Sequence, residues 1–186
     1  MAHTTDYASD IIKELQQSIS LIAAAESDLL VEAIQKAGKI FVAGAGRSGL
    51  MSKAFTMRLM QMGLNAYVVG ETVTPGLDQE DLLIISSGSG ETKGLVSMAE
   101  KTRQIGGVLA AVTLAPESTI GKLADVIVKL PGSSKSQSEG GFTTSQPMAS
   151  LFEQTLLVFY DAIILKLMEH KGLDSNTMYS RHANLE

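Results

Sequence analysis

Short apolar runs alternate with helical stretches through the middle of the chain, and this alternation constrains the fold more than any other feature. Five apolar runs are typical of buried strands: 39–43, 66–69, 82–85, 108–114 and 125–130. Helical periodicity lies between them at 48–62, 92–105 and 119–124. Because strands that alternate with helices form parallel sheets covered on both faces, the sequence predicts a three-layer α/β sandwich with a five-stranded parallel sheet.

The flanking segments complete one predicted domain. Its four parts are helices in 1–38, the parallel core in 39–131, a Ser- and Gly-rich loop in 132–147, and C-terminal helices with a tail in 148–186. The first part contains two helical patterns, 6–25 and 27–37. We expect the loop to close over a ligand and exclude water, with Lys135 and Gln137 as contacts.

Composition excludes several classes of function. The formal net charge is −5 and no basic run exceeds two residues, so nucleic-acid binding is not expected. The chain has no cysteine, which rules out disulfides, zinc–thiolate sites and thiol nucleophiles. Its histidines, His3, His170 and His182, include no pair at ligand spacing on one helix. We therefore predict no metal site.

No feature of the sequence predicts membrane insertion or export. The first residues are polar and acidic, unlike a signal peptide. The most apolar segment, 151–168, is interrupted by Glu153, Asp161 and Lys166, which a membrane-spanning helix tolerates poorly. The expected location is the cytoplasm.

The turn after the first strand is rich in glycine. Gly44 to Gly49 reads GAGRSG and fits the G-x-G-x-x-G fingerprint of dinucleotide-binding folds. Glu71 follows at about the distance of the acid that binds ribose in such folds. A dinucleotide-dependent enzyme is therefore one interpretation of this turn.

A second loop, SSGSGET at 86–92, combines hydroxyl groups with glycines between a strand and a helix. Amide groups at a helix start attract anions, and the hydroxyls add donors. We predict a phosphate monoester site here, for which a capped helix start is the alternative interpretation. The predicted ligand contacts from the two loops are Gly46, Arg47, Ser48, Ser87, Gly88, Ser89 and Thr92.

Several stretches of the chain resemble a known family. They are GAGRSGLMSKAF, SSGSGET, ADVIVKLP, QPMASLFEQTLLVFYDAIILKL and RHANLE. Together they resemble the sugar isomerase (SIS) domain, a flavodoxin-like fold that binds phosphosugars, and within it the 6-phospho-3-hexuloisomerase family. The resemblance implies isomerisation of 3-hexulose 6-phosphate to fructose 6-phosphate in the ribulose monophosphate pathway of formaldehyde fixation. It also implies phosphate binding by SSGSGET, a tetramer, and hexulose-6-phosphate synthase as a functional partner.

That reaction moves a carbonyl from C3 to C2 through a cis-enediol, with no net redox change, so we expect no cofactor. It needs a base near neutral pH. Glu153 is our first candidate, because burial disfavours the charged form of a carboxylate; the alternative is a helix-start acid or the partner of a cation. His182 is the second candidate, for ring opening or for proton transfer between O2 and O3. The alternative interpretation is an ordinary surface histidine. Glu91 is interpreted as structural, and Arg47 as a partner of the phosphate or an enediolate oxygen.

The helical pattern at 151–168 is apolar nearly all round, which a peripheral helix of a monomer should not be. We therefore predict a homo-oligomer. In such an assembly, residues of a neighbouring subunit can complete the site. Two other functions stay open. One is a non-catalytic phosphosugar sensor, and the other is a different sugar-phosphate isomerase.

Overall fold

The computed structural model describes residues 2–132 and 144–185, and its elements follow the predicted order. They are α1 Thr4–Ser20, α2 Ala24–Lys36, β1 Ile40–Gly44, α3 Gly46–Gln61, β2 Ala66–Val68, β3 Leu82–Ser86, α4 Lys93–Ile105, β4 Val108–Thr113, α5 Thr119–Leu123, β5 Val126–Lys129, α6 Ser150–Lys171 and α7 Ser175–Tyr179. The strands form one sheet in the order β2-β1-β3-β4-β5, and every neighbouring pair is parallel. The predicted five-stranded parallel sheet is confirmed.

Helices cover both faces of the sheet, as its apolar strands require. On one face α2, α3 and α6 pack against the strands and each other, and α1 lies against α6. On the other face α4 and α5 enclose a smaller apolar cluster. All five residues of the central strand β3 are buried. Gly44 at the end of β1 pairs in register with Ser86 at the end of β3. The two glycine-rich loops therefore leave the sheet side by side.

Helix α3 begins at Gly46, two residues before its predicted start. Gly46 has a φ of 58°, in the left-handed region that favours glycine. A Cβ atom on Gly49 would lie 2.7 Å from the carbonyl oxygen of Gly44, closer than real contacts allow. The glycines of the first loop thus let α3 start directly against the end of β1.

The C-terminal part contains a short helix whose bounds the sequence pattern does not indicate. Helix α6 ends at Lys171 and is capped by Gly172, which has a φ of 62°. Asp174 then caps α7 by accepting a hydrogen bond from the Thr177 amide at 2.8 Å. Among the helices of the described ranges, none has the length and apolar character needed to cross a membrane. The predicted loop contacts Lys135 and Gln137 lie outside the described residues.

Candidate active site

A cavity of about 490 Å³ opens where β1 and β3 end, the place at which open parallel sheets bind ligands. We call it the site cavity. Its walls come from the first turn of α3, the loop between β3 and α4, and the first turn of α6. The residues of the sequence prediction that line it are Gly46, Arg47, Ser48, Ser87, Gly88, Ser89, Thr92 and Glu153.

The starts of two helices border the site cavity. The first residues of α3 line it, and so does Thr92, the N-cap residue of α4. Thr92 makes no side-chain capping hydrogen bond, and the N-cap residue of α3, Ala45, has no side chain that can make one. The first amide groups of a helix lack partners within that helix, and its dipole favours a negative charge. Both helix starts therefore suit an anion.

The loop between β3 and α4 is held in place by hydrogen bonds within the loop and to the end of β4. Ser87 Oγ accepts a hydrogen bond from the Gly90 amide at 3.1 Å. The carbonyl oxygen of Gly88 accepts from the Leu114 amide at 3.2 Å and from Thr113 Oγ1 at 3.2 Å. A Cβ atom on Gly90, which has a φ of 64°, would lie 1.9 Å from Ser118 Oγ. The loop is thus preorganised, and glycine is required where it touches the start of α5.

The carboxylate of Glu91 contacts the start of α5. Glu91 does not line the site cavity. Its two oxygens accept hydrogen bonds from the Thr119 amide at 2.7 Å and from Thr119 Oγ1 at 2.8 Å. The hydrogen bond from the Thr119 amide, and then the one from the Thr119 hydroxyl, lower the pKa of Glu91. These contacts support the structural interpretation of Glu91.

Glu153 lies in the first turn of α6 and is only 8% exposed. Its Oε2 accepts a hydrogen bond from Arg47 Nη1 at 3.0 Å. The side chain of Arg47 is 46% exposed, so the arginine reaches the carboxylate from the solvent side of the cavity. Phe152 and Leu114 add apolar surface to the same cavity. A mostly buried carboxylate and a half-exposed cation therefore line the same cavity as the hydroxyl-rich loop.

His182 is not brought to the site cavity within a single chain. It lines a separate cavity of about 460 Å³ between α3, α6 and α7, together with Arg58, Asp161 and Tyr179. The histidine is exposed, and its ring lies near that of Tyr179, with the centroids 6.3 Å apart. Any role of His182 in the reaction stays a prediction.

The sequence analysis did not single out several residues that line the site cavity. They are Ala45, Ser86, Leu95, Leu114, Ala149 and Phe152. Ser86 stands inside the quoted SSGSGET loop but reads equally well as the last residue of a strand. Phe152 directly precedes Glu153 and reads as a core residue. Their roles depend on how α6 crosses the sheet end, which local sequence does not show.

The described residues support neither a dinucleotide site nor a metal site. Glu71, the acid of the dinucleotide interpretation, is exposed and lies 3.7 Å from Lys53 Nζ. Across 2–132 and 144–185, no group of three or more His, Asp and Glu side chains is arranged to hold a metal ion.

Comparisons with known proteins identify relatives of this chain in sequence and in structure. A family model for the SIS domain matches residues 33–164, which include both glycine-rich loops and Glu153. A 3-hexulose-6-phosphate isomerase of Bacillus subtilis is 58% identical over 183 residues, covering 98% of this chain and 99% of that protein. One from Mycobacterium gastri is 38% identical over 182 residues, covering 98% and 91%.

A solved structure extends the likeness to three dimensions. It is a Methanococcus jannaschii protein, inferred from its crystal structure to be a 3-hexulose-6-phosphate isomerase. It superposes with a TM-score of 0.81 at 34% identity and covers 98% of each chain. The chain belongs to the SIS domain family.

Proposed function

We propose that this protein is an isomerase that converts 3-hexulose 6-phosphate to fructose 6-phosphate without a cofactor. The observation that carries the proposal is the site cavity, where a mostly buried carboxylate faces a preorganised, hydroxyl-rich anion cradle. The near full-length identity of 58% to the Bacillus subtilis isomerase supports the choice of sugar.

The phosphate group of the substrate binds at the cradle between β3 and α4. Ser87, Ser89 and Thr92 offer hydroxyl groups, and the starts of α3 and α4 offer amide groups. Hydrogen bonds to a charged acceptor are worth about 1.5–3 kcal/mol each, so a few of them anchor the substrate. The anchored phosphate leaves the carbon chain to extend towards α6.

Glu153 acts as the base. It removes the proton from C2, the electron pair of that bond forms the C2–C3 double bond, and the C3 carbonyl oxygen becomes an enediolate oxygen. The same carboxyl group then returns a proton to C3, while a proton moves from O2 to O3. No electrons leave the substrate, so atoms and charge balance without a redox partner.

Arg47 stabilises the negative charges of the substrate and of the enediolate. Its Nη1 lies 3.0 Å from Glu153 Oε2, so it neutralises that carboxylate. A bound phosphate or a developing enediolate offers the guanidinium a second anionic partner in the same cavity. Transfer of Arg47 to the substrate would release the carboxylate for proton abstraction.

The protein acts as a homo-oligomer, for which we propose a tetramer. Support comes from large apolar side chains that remain exposed on α3 and α6: Leu50, Met57, Met60, Val158 and Leu165. His182 shares its cavity with Leu165, which is 66% exposed. We therefore assign His182 to the site cavity of a neighbouring subunit. The reaction runs in the cytoplasm, where hexulose-6-phosphate synthase supplies its substrate.

A panel of 5- and 6-phosphosugars in deuterium oxide tests the proposed function. Wild-type protein should form fructose 6-phosphate from 3-hexulose 6-phosphate and carry solvent deuterium to C3, because the base exchanges its proton with solvent. Mass spectrometry and NMR of the product measure both. Binding without turnover would instead indicate a phosphosugar sensor, and turnover of another sugar would indicate a different isomerase.

A further inference from the structure

A chain of buried hydroxyl groups lies beneath the site cavity. The hydroxyl oxygen of Tyr160 lies 2.6 Å from Ser86 Oγ, and Ser86 Oγ lies 2.8 Å from Ser52 Oγ. Ser52 Oγ in turn lies 3.0 Å from the carbonyl oxygen of Ser48. Tyr160 and Ser86 are fully buried, and Ser52 is 2% exposed.

These hydroxyl groups join the three elements that carry the candidate site. Ser86 ends β3 and directly precedes the phosphate cradle. Ser52 lies one turn after Ser48 on α3, the helix that carries Arg47 in its first turn. Tyr160 lies seven residues after Glu153 on α6, which is two turns along the same face. One phenol therefore connects the helix of the proposed base to both anion-binding loops.

Ser52 Oγ donates to Ser86 Oγ, and the Ser48 carbonyl oxygen is a second acceptor within reach of the same hydroxyl hydrogen. In the Tyr160–Ser86 pair either oxygen can be the donor. Burial raises the pKa of Tyr160, so its phenol stays protonated and is able to donate to Ser86. Loss of the phenol oxygen removes this hydrogen bond between α6 and β3.

The ring of Tyr160 is held independently of its hydroxyl group. It stacks on Phe55 with the ring centroids 4.0 Å apart and the planes 6° from parallel. It also contacts Phe159 at a centroid distance of 5.9 Å. Phenylalanine at position 160 would keep this packing and remove only the hydroxyl group. The hydrogen-bonding role is thus separable from the core-packing role.

We propose that Tyr160 is a positioning residue, whose hydroxyl fixes the separation between Glu153 and the phosphate cradle through Ser86 and Ser52. This proposal rests on the proposed function, because that separation matters only if one end of the sugar is anchored while the other end reacts. A displacement of about 1 Å in such an arrangement costs roughly 100-fold in rate.

Tyr160→Phe tests the proposal, with Tyr67→Phe as the matched control. Tyr67 also stacks on a phenylalanine, Phe41, at a centroid distance of 5.6 Å, but it packs against the apolar cluster on the opposite face of the sheet. We expect kcat to fall at least about tenfold in Tyr160→Phe while KM stays within about threefold, since the phosphate contacts remain. Tyr67→Phe should match the wild type. A Tyr160→Phe variant that melts earlier but keeps wild-type kcat well below its melting temperature would reduce Tyr160 to a packing residue and overturn the proposal.

Ser86→Ala removes the same link from its other end and serves as the second variant if Tyr160→Phe does not fold. The double variant should be no slower than the slower single variant, because both changes break one connection. Additive losses in kcat would contradict a shared role. If the wild type shows no isomerase activity, the proposed function fails, and hydrogen exchange then decides about Tyr160. Faster exchange of the amides at 86–92 in Tyr160→Phe than in Tyr67→Phe would support the positioning role, and equal exchange would overturn it.

Discussion

Thr92 separates the two interpretations of the hydroxyl-rich loop. It is the N-cap residue of α4, yet its hydroxyl makes no capping hydrogen bond. Ser89 contributes one weak local contact, accepting from the Glu91 amide at 3.3 Å. Both side chains are exposed at the site cavity. A helix cap alone does not explain these hydroxyl groups, whereas a phosphate ligand would use them.

We predict that Ser89→Ala and Thr92→Ala each lower kcat/KM by about tenfold to a hundredfold. Each variant removes one hydrogen bond to a dianion, worth roughly 1.5–3 kcal/mol. Steady-state kinetics on the phosphosugar provide the measurement. Ser20→Ala, at the end of α1 and outside the site cavity, is the control. Wild-type kcat/KM in both cradle variants would remove the phosphate from this loop.

Residue-level prediction from sequence works where the chemistry is local. The cradle residues of 86–92 follow each other in the chain, so their shared position is readable from the sequence. The Arg47–Glu153 ion pair joins residues 106 positions apart, and the Tyr160–Ser86 hydrogen bond spans 74. Tyr160 stands in an apolar run that predicts a core helix, and nothing in that run indicates a hydroxyl partner. Such contacts depend on how helices cross the sheet.

At the level of elements, α1 contacts the chain at Pro131, at 144–146 and on α6. Ser18 Oγ lies 3.1 Å from the Pro131 carbonyl oxygen and 3.0 Å from Thr155 Oγ1 on α6. Glu14 accepts hydrogen bonds from residues 144–146, including the Ser145 amide at 2.9 Å and Thr144 Oγ1 at 2.6 Å. The N-terminal helix therefore braces the segment that leads into α6 and Glu153.

Glu14 makes this bracing sensitive to pH. Partial burial alone would raise its pKa, but hydrogen bonds from the Ser145 amide, Thr144, Gln146 and the Ser145 hydroxyl together lower it from 4.5 to about 2. A lowered pKa stabilises the folded state above the unfolded value of 4.5, and this contribution is lost as the pH falls from 4.5 towards 2.

Glu14→Gln should therefore lower the free energy of unfolding at neutral pH, and its deficit against the wild type should shrink below pH 4.5. Urea unfolding across this range measures the difference. Glu32→Gln, which removes an exposed carboxylate paired with Lys36 on α2, is the control. A Glu14→Gln deficit that is constant with pH would show that the hydrogen bonds do not depend on the charge.

Element order was predictable because each strand is a short apolar run between helical patterns. The ends of elements were less so. Helix α3 begins at Gly46 because Gly49 packs against Gly44, a contact across the turn that helical periodicity does not register. Helix α7, five residues long, is defined by the Asp174 cap, and it has no buried residue to mark one face as apolar.

For the molecule as a whole, the exposed apolar side chains on α3 and α6 form a surface that packing within one chain does not explain. Met57 and Leu165 are 44% and 66% exposed, although both helices also pack in the core. We predict sedimentation well above the 19.7 kDa of one chain. Leu165→Glu should shift the distribution towards monomer. A clean, active species at the monomer mass would contradict this prediction.

A shared site makes a sharper prediction. If His182 enters the site cavity of a neighbour, Glu153→Gln and His182→Ala should each be inactive alone but recover activity when unfolded together and refolded as mixed oligomers. Mixed assemblies then contain some cavities with both native side chains. Wild-type activity in His182→Ala would remove the histidine from the reaction. Inactive mixed oligomers would contradict its assignment to a neighbouring subunit.

The central claim is that Glu153 moves the proton while the cradle holds the phosphate, and the turnover of Glu153→Gln tests it most directly. The glutamine keeps the shape and removes the basicity, so kcat for fructose 6-phosphate formation should fall at least about 100-fold. Inorganic phosphate should still bind, at least as tightly as to the wild type, because the cradle is unchanged and Arg47 loses a competing carboxylate. Glu169→Gln, at the exposed end of α6, should keep wild-type kcat. A Glu153→Gln variant that retains more than about a tenth of wild-type kcat would contradict the account and move the base elsewhere.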